Sequence, residues 1–455
     1  MARARAITRR TRWLLVICAL AVSTLVFYAY QFAVIGSAYV AHMLCSGVFI
    51  AGRTSESIIA TDLTADDLAP MRYVGAHVDA HRVTASVFGL ATRTAIYRDG
   101  LGCTLSDDVR ASSPSPLLIH IDRDAWTTPT AVSADRQRQL NEALDWAFAE
   151  PDPRHQRRTR AVVVLHDGHL AAERYADGFT KDTPLIGWSM SKSVVNALVG
   201  ILVGTGSMSL DAPLPIAAWR PGDPRRAITL DHLLRMSSGL DFDEESINPR
   251  SGVLYMLLRA PDVPAYAESS PLAAAPGTRW RYSSATTNVI TGAMRRVVGE
   301  ADYAMFPRRA LFDRIGMHSA VVETDAHGNF IGSSFMWATA RDWARFGQLY
   351  LDDGVWRGER VLPPGWVTYS RTPAPAAPDR RYGAHFWLTI ADGYRSGSPG
   401  FELPADAFHA VGHEGQFVTI VPSRRVVIVR LGLTRSAGAW AQDEFVTHVL
   451  RALGD

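Results

Sequence analysis

The chain opens with a run from Trp13 to Ala41 that holds no charged residue, behind arginines at positions 3, 5, 9, 10 and 12. As a helix, Trp13 to Ile35 is long enough to cross a hydrocarbon core of about 30 Å. From about 46 to 125, short apolar runs alternate with turn residues, as in Tyr73-Val74-Gly75 and Arg82 to Val87. That pattern predicts a small β-rich or irregular extension, closed by the linker-like Ser112-Ser113-Pro114-Ser115-Pro116. From Ser133 the period turns helical, with Leu140, Leu144, Trp146 and Ala147 forming an amphipathic segment. Ala161 to Leu165 reads as a strand, Asp167-Gly168 as a tight turn, and Leu170 to Tyr175 as the returning strand.

The middle, about 207 to 340, reads mostly as helices: Thr229 to Met236, Gly252 to Arg259, Ser284 to Val298, Tyr303 to Ile315 and Thr339 to Leu351. Thr339 with Asp342 forms a capping pair and Asp353-Gly354 a stop. Strand patterns then return at Gly383 to Ile390, at Gln416 to Val421 and, after Pro422-Ser423-Arg424, at Val426 to Leu431. Ala441 to Leu453 is an amphipathic closing helix. This order predicts an α/β (α+β) domain: one antiparallel sheet assembled from both chain ends, flanked by helices, with a helical lobe inserted at about 207–340.

One helix departs from the amphipathic rule. After Gly187-Trp188-Ser189-Met190-Ser191-Lys192-Ser193, the run Val194 to Val203 is apolar on nearly every side, apart from Asn196 and Gly200. Such a helix is buried, so its polar N-terminus must open into a cleft, where free N–H groups and the dipole favour negative charge. Ser189 and Lys192 stand one turn apart on one face. The chain holds only two lysines, Lys181 and Lys192, among 47 basic residues. Arginine cannot lose its proton, whereas a desolvated lysine can act as a base, so the pair has the parts of an activated serine nucleophile. The plainer alternative is a capping serine beside a surface lysine.

Two further stretches bear on chemistry. Tyr282, at the corner before the Ser284 helix, could aim its hydroxyl into the same cleft and relay a proton, or simply be packed with that hydroxyl satisfied locally. Gly412-His413-Glu414-Gly415-Gln416 leads into a strand, where Gly415 would let a substrate approach and the Gln416 N–H would join that of Ser189 in an oxyanion hole. His409 and His413 are four apart, but the glycines oppose a helix and no His-Glu-x-x-His occurs, so no metal is expected.

Ser189-x-x-Lys192, Tyr282-x-Ser284 and His413-x-Gly415, in that order, resemble the three motifs of the serine β-lactamase and penicillin-binding-protein superfamily. Pro276-Gly277-Thr278 and the Ala338 to Gly347 segment resemble the branch with class C β-lactamases, family VIII esterases and 6-aminohexanoate-dimer hydrolases, over roughly residues 135 to 453. The resemblance implies a β-lactamase-like fold, with Ser189 as acylated nucleophile and Lys192 and Tyr282 sharing the base role. It also implies an oxyanion hole from the N–H groups of Ser189 and Gln416, substrate contacts at Ser284, His413 and Gly415, and no cofactor. Ser284 replaces the asparagine of class C enzymes, and His413-Glu414-Gly415 replaces Lys-Thr-Gly. Without that lysine, penicillin-like carboxylates lose their partner, and a small or peptide-like ester or amide is the expected substrate. An α/β-hydrolase reading needs Gly-x-Ser-x-Gly, and Ser191 stands where its second glycine should be. A non-catalytic penicillin-binding-like protein that binds cell-wall peptides is the alternative from another class.

A net charge of +2 with no basic, aromatic-laced patch gives no reason to expect nucleic acid. The N-terminal arginines should stay cytoplasmic, which makes the chain a single-pass protein of the cytoplasmic (inner) membrane with its catalytic domain periplasmic or extracellular. A signal peptide cleaved near Ser37 and Ala38 is the rival. In an oxidising compartment Cys45 and Cys103 become a candidate disulfide. The domain reading is therefore 1–36 anchor, 37–130 extension and 131–455 hydrolase-like domain.

Overall fold

The computed structural model describes residues 9–106, 133–245 and 248–454; the Ser112 to Pro116 linker and the arginines at 3 and 5 lie outside them. Helix α1 (Arg9–Phe49) runs without a break across residue 36. Up to Tyr30 it turns apolar side chains outward, with Leu25 70% exposed, and it is long and apolar enough to cross a membrane. From Val34 to Gly47 it is mostly buried, because it lies on a four-stranded antiparallel sheet of the extension. That sheet runs β1 (Val74–Asp79), β2 (Arg82–Val87), β3 (Leu90–Arg98) and β4 (Gly102–Leu105) in order. Cys45 on α1 and Cys103 on β4 are joined by a disulfide, with Cα atoms 6.1 Å apart.

The extension is docked onto the main domain through a buried carboxylate. Glu323 accepts from Ser46 Oγ (2.7 Å), the Cys103 N–H (2.7 Å) and Trp337 Nε1 (2.9 Å), so α1, β4 and the main domain meet on one side chain. A buried carboxylate with three donors is satisfied; without them it would oppose folding.

Helix α2 (Ala134–Phe148) starts at its Ser133 cap and buries Leu140, Ala143, Leu144 and Ala147 against the C-terminal helix. Strands β5 (Thr159–His166) and β6 (His169–Tyr175) form the expected hairpin, with Asp167 at φ +50° and Gly168 at φ +76°. A short strand β7 (Leu185–Ile186) precedes helix α3 (Ser191–Gly204). Then come α4 (Leu230–Leu234), α5 (Gly252–Leu258), α6 (Ser284–Val298), β8 (Val321–Val322), β9 (Met336–Ala338) and α7 (Ala340–Leu351). Strands β10 (Phe408–Gly412), β11 (Gln416–Val421) and β12 (Val426–Gly432) and helix α8 (Gln442–Leu453) complete the chain. The central antiparallel sheet has the order β10-β11-β12-β5-β6, so β5 and β12 are neighbours brought from opposite ends of the domain.

Two expected elements change. Tyr303 to Ile315 is not one continuous α-helix: Glu300–Tyr303 is followed by a turn at 304–305 and then by a helical run that is π-type over Arg308–Phe312 and α over Asp313–Ile315, and Pro307 at its start offers no N–H to the residue a turn before. Gly383 to Ile390 is not a strand. His385 sits at φ +56° and the Gly383 N–H closes on the Phe386 carbonyl (2.9 Å), leaving single bridges Tyr382–Trp387 and Trp387–His409. The edge strand of the sheet is β10 instead, a segment the sequence pattern did not pick out.

Candidate active site

Ser189 sits in a single tight turn, Trp188–Met190, that feeds α3. Trp188 is at φ +48°, a conformation that costs a non-glycine residue on the order of 1 kcal/mol. Its surroundings enforce it. The Gly187 N–H donates to the Met336 carbonyl (2.8 Å), and Trp188 Nε1 donates to Glu414 Oε2 (2.9 Å). A side chain at Gly187 would meet Trp343 at 2.3 Å, and one at Gly412 would meet the Gly187 carbonyl at 2.1 Å. The edge strand β10 therefore lies directly against the serine turn.

Lys192, in the first turn of α3, is 1% exposed. Its Nζ donates to Ser189 Oγ at 2.9 Å, Ser284 Oγ at 3.1 Å and the Ser333 carbonyl at 2.8 Å. Burial pushes its pKa down to about 8, with the charge of Glu244 opposing the shift. Glu244 completes the group: it accepts from the Ser284 N–H at 2.8 Å and from Ser284 Oγ at 2.5 Å. The serine that stands in place of asparagine thus links the lysine to a carboxylate.

The helix behind Lys192 is held rigidly. His385 Nδ1 donates to the Lys192 carbonyl (2.9 Å), and its pKa falls to about 3 through burial and the nearby lysine, so the ring is neutral. One turn on, Asn196 accepts at Oδ1 from Tyr350 OH, Trp366 Nε1 and Ser370 Oγ, and donates to the Ala384 carbonyl. Ser193 Oγ also donates to the His385 carbonyl (2.6 Å), so the polar residues at the start of the helix and Asn196 are its attachment points.

Tyr282 lies with its ring centroid 4.9 Å from Lys192 Nζ. Burial and Glu244 raise its pKa, against a hydrogen bond with Ser189, so the phenol is neutral at pH 7. Around it stand Trp387 (5.6 Å between ring centroids) and Tyr382 (6.2 Å), with Trp280 packed on both. One side of the site is an aromatic wall.

The third motif divides between solvent and interior. His413 reaches solvent, its side chain 55% exposed and its ring edge-on to Trp188 (centroids 5.6 Å apart). Glu414 turns inward, is 1% exposed, and pairs with Arg435, which also binds Asp67; its charge is neutralised under Trp188 and does not face a substrate. Gly415 at φ +77° packs on Arg430, which a Cβ would meet at 2.5 Å, and its N–H donates to Tyr394 OH (3.1 Å). The Gln416 side chain exchanges two hydrogen bonds with the Gly432 backbone (2.7 and 2.9 Å), which ties the motif to β12. The structure therefore gathers Ser189, Lys192, Tyr282 and Ser284 into one cluster, with His413 at its edge beside Trp188. Among the described residues, no group of three His, Cys, Asp or Glu side chains could hold a metal.

Glu244, Ser333, His385 and Trp387 also belong to this site, and nothing in their local sequence marks them. Glu244 and Ser333 lie on loops or turns, where periodicity is silent, and His385 and Trp387 lie in the irregular segment whose pattern reads as a strand.

This fold and cluster place the chain in a family: residues 136–438 match the Beta-lactamase family, to which the chain belongs. A 6-aminohexanoate-dimer hydrolase from Paenarthrobacter ureafaciens is 30% identical over 222 residues, which cover 46% of this chain and 56% of that protein. The chain thus spans little more than half the length of that relative. A family VIII carboxylesterase superposes with TM-score 0.55 at 14% identity, covering 71% of this chain and 98% of the other. A penicillin-binding-protein homologue from Caulobacter crescentus superposes with TM-score 0.53 at 17% identity, covering 72% and 99%.

Proposed function

We propose that this chain is a membrane-anchored serine hydrolase that cleaves an ester or amide bond through an acyl-enzyme. The observation that carries the reading is the 2.9 Å contact between Ser189 Oγ and a lysine whose burial brings its pKa down to about 8. At pH 7 roughly a tenth of such a lysine is neutral, enough to serve as a base. Lys192 takes the Ser189 proton as Oγ bonds to the carbonyl carbon. The oxyanion is held by backbone N–H groups of Ser189 and, on the motif's reading, Gln416. Tyr282, a neutral phenol, passes its proton to the departing alcohol or amine and takes the serine's proton back from the neighbouring Lys192 ammonium, which returns both groups to their starting states. Water then attacks the acyl-enzyme with Lys192 again as base, freeing the acid and Ser189.

At the third motif Arg435 is held by Glu414 and Asp67, Arg430 is buried behind Gly415, and burial lowers the pKa of His413; none of these takes the place of the missing lysine, which favours substrates without a carboxylate beside the scissile bond. The aromatic wall favours an apolar group on one side of that bond. Retention of the anchor is supported by burial: cleavage near Ser37 would strip Val34, Ile35 and Ser37 from the packed half of α1. The fold then lies on the outer face of the cytoplasmic membrane.

The test is labelling of the detergent-solubilised full chain with a fluorophosphonate, read by mass spectrometry, beside turnover of short p-nitrophenyl esters. An adduct on Ser189, with turnover lost in Ser189→Ala, is expected. No adduct and no turnover would move the chain to a non-catalytic peptide-binding role, and turnover by the alanine variant would remove the nucleophile assignment.

A further inference from the structure

The extension sheet has two unlike ends. At one, the turn Asp79-Ala80-His81-Arg82 is polar. At the other, the β2–β3 turn presents Phe88, 82% exposed, and Leu90, 69% exposed, beside Tyr73, 53% exposed, at the start of β1. The strand register places these three together, since Val74 pairs with Val87 and Val87 with Leu90. Large apolar side chains this exposed at one sheet end mark a contact surface.

Contacts with α1 fix which way that end points. The polar end lies beside Phe49, whose ring is 6.3 Å from His81 and 5.3 Å from Tyr97. The apolar end lies beside Gly36, where an added Cβ would be 3.2 Å from Met71 Sδ and 3.7 Å from Val74 Cγ2. The tip at Phe88 extends one residue past Val87, toward the point where α1 leaves the domain and its apolar side chains become exposed. Flanking that exit, Arg72 stacks on Tyr73 (4.9 Å), and Arg259 lies over Tyr255 (5.2 Å) while donating to Gln31 on α1. Aromatic rings with arginines at one level suit the boundary between hydrocarbon and anionic headgroups.

We propose that the Phe88-Gly89-Leu90 tip is a second membrane contact, inserted at the headgroup boundary of the bilayer that α1 crosses, with Arg72 and Arg259 on anionic headgroups. This rests on the anchored reading above, and adds to it a fixed orientation of the domain.

The experiment uses the full chain in nanodiscs of zwitterionic and anionic phospholipid, in a Cys18→Ser background that leaves the Cys45–Cys103 bond in place. An environment-sensitive fluorophore is attached at Phe88→Cys, at Ala80→Cys on the polar end, and at Leu25→Cys within the span. Lipid carrying a shallow doxyl quencher should quench the label at 88 several-fold more than the label at 80. Equal, weak quenching at 88 and 80, with the label at 25 shielded, would overturn the proposal while leaving the anchor intact. A label at 25 open to water would instead overturn the anchor, and this contact with it. A label at 88 that is shielded but not quenched, in particles holding two chains, would assign the tip to a second copy and also overturn it.

Discussion

Glu244 touches Lys192 only through Ser284, whose hydroxyl donates to the carboxylate at 2.5 Å while accepting from the ammonium at 3.1 Å. The carboxylate holds the lysine's pKa up against the stronger downward pull of burial. Glu244→Gln removes that support, so the lysine should deprotonate at lower pH. The acid limb of kcat/KM, expected near pH 8, should shift toward acid, measurable in a pH–rate profile on an uncharged ester. An unmoved or alkaline-shifted limb would detach Glu244 from the lysine.

Lys192 itself should weaken the fold at neutral pH. Its folded pKa of about 8 lies below the ordinary value of 10.5, so the cost of burying the charge is fully present below pH 8 and fades as pH rises toward 10.5. The difference corresponds to about 3 kcal/mol at most. Lys192→Met should lose turnover by roughly 10²-fold or more. The stability gap between variant and parent, from denaturant unfolding, should move in the variant's favour at pH 7 relative to pH 10. A pH-independent gap would contradict the buried-charge account.

Glu414 should act as a positioning residue for the nucleophile turn. Glu414→Gln leaves Arg435 short of a buried partner and loosens Trp188 from its left-handed conformation. Breaking a buried pair in this way costs about 3–5 kcal/mol. Turnover should fall through kcat with KM little changed, and the fluorophosphonate labelling rate should fall with it. A stable variant that is labelled at the parental rate would show that Glu414 does not set the conformation of the nucleophile turn.

The Cys45–Cys103 bond closes a 58-residue separation and should contribute about 4 kcal/mol in the chain-entropy model. The Cys45→Ser, Cys103→Ser double variant should lower the denaturant midpoint accordingly and leave kcat within about twofold of the parent. Parental stability in the variant would mean that α1 and β4 stay together through the Glu323 contacts alone.

What the sequence made legible was periodic or punctuated. The Asp167-Gly168 hairpin, the Ser284 to Val298 helix and the Ser189–Lys192 pair each announce themselves by spacing or by turn chemistry. Glu244, Ser333 and His385 do not, since each reaches the site from a loop through contacts 40 or more residues away in sequence. The third motif is held by partners far from it in sequence. Its glycine answers to Arg430 and its glutamate to Arg435, two long-range partners that no local window contains. Strand β10 stayed hidden because its polar His409 points into the core, bonded to Thr419, and breaks the alternation that marks a half-exposed strand.

Helix α1 passes unbroken from its exposed apolar half to His42, whose ring stacks 4.2 Å from Phe335, itself 5.9 Å from Trp188. A continuous helix is a post rather than a leash: from Tyr30 to His42 it rises about 18 Å. On the anchored-hydrolase reading proposed above, a domain carried on such a post would work at one altitude above the lipid and would not swing to bonds far overhead. Its reach would be set by helix geometry, and lengthening the post by whole turns would change which targets come within range without altering a single catalytic atom.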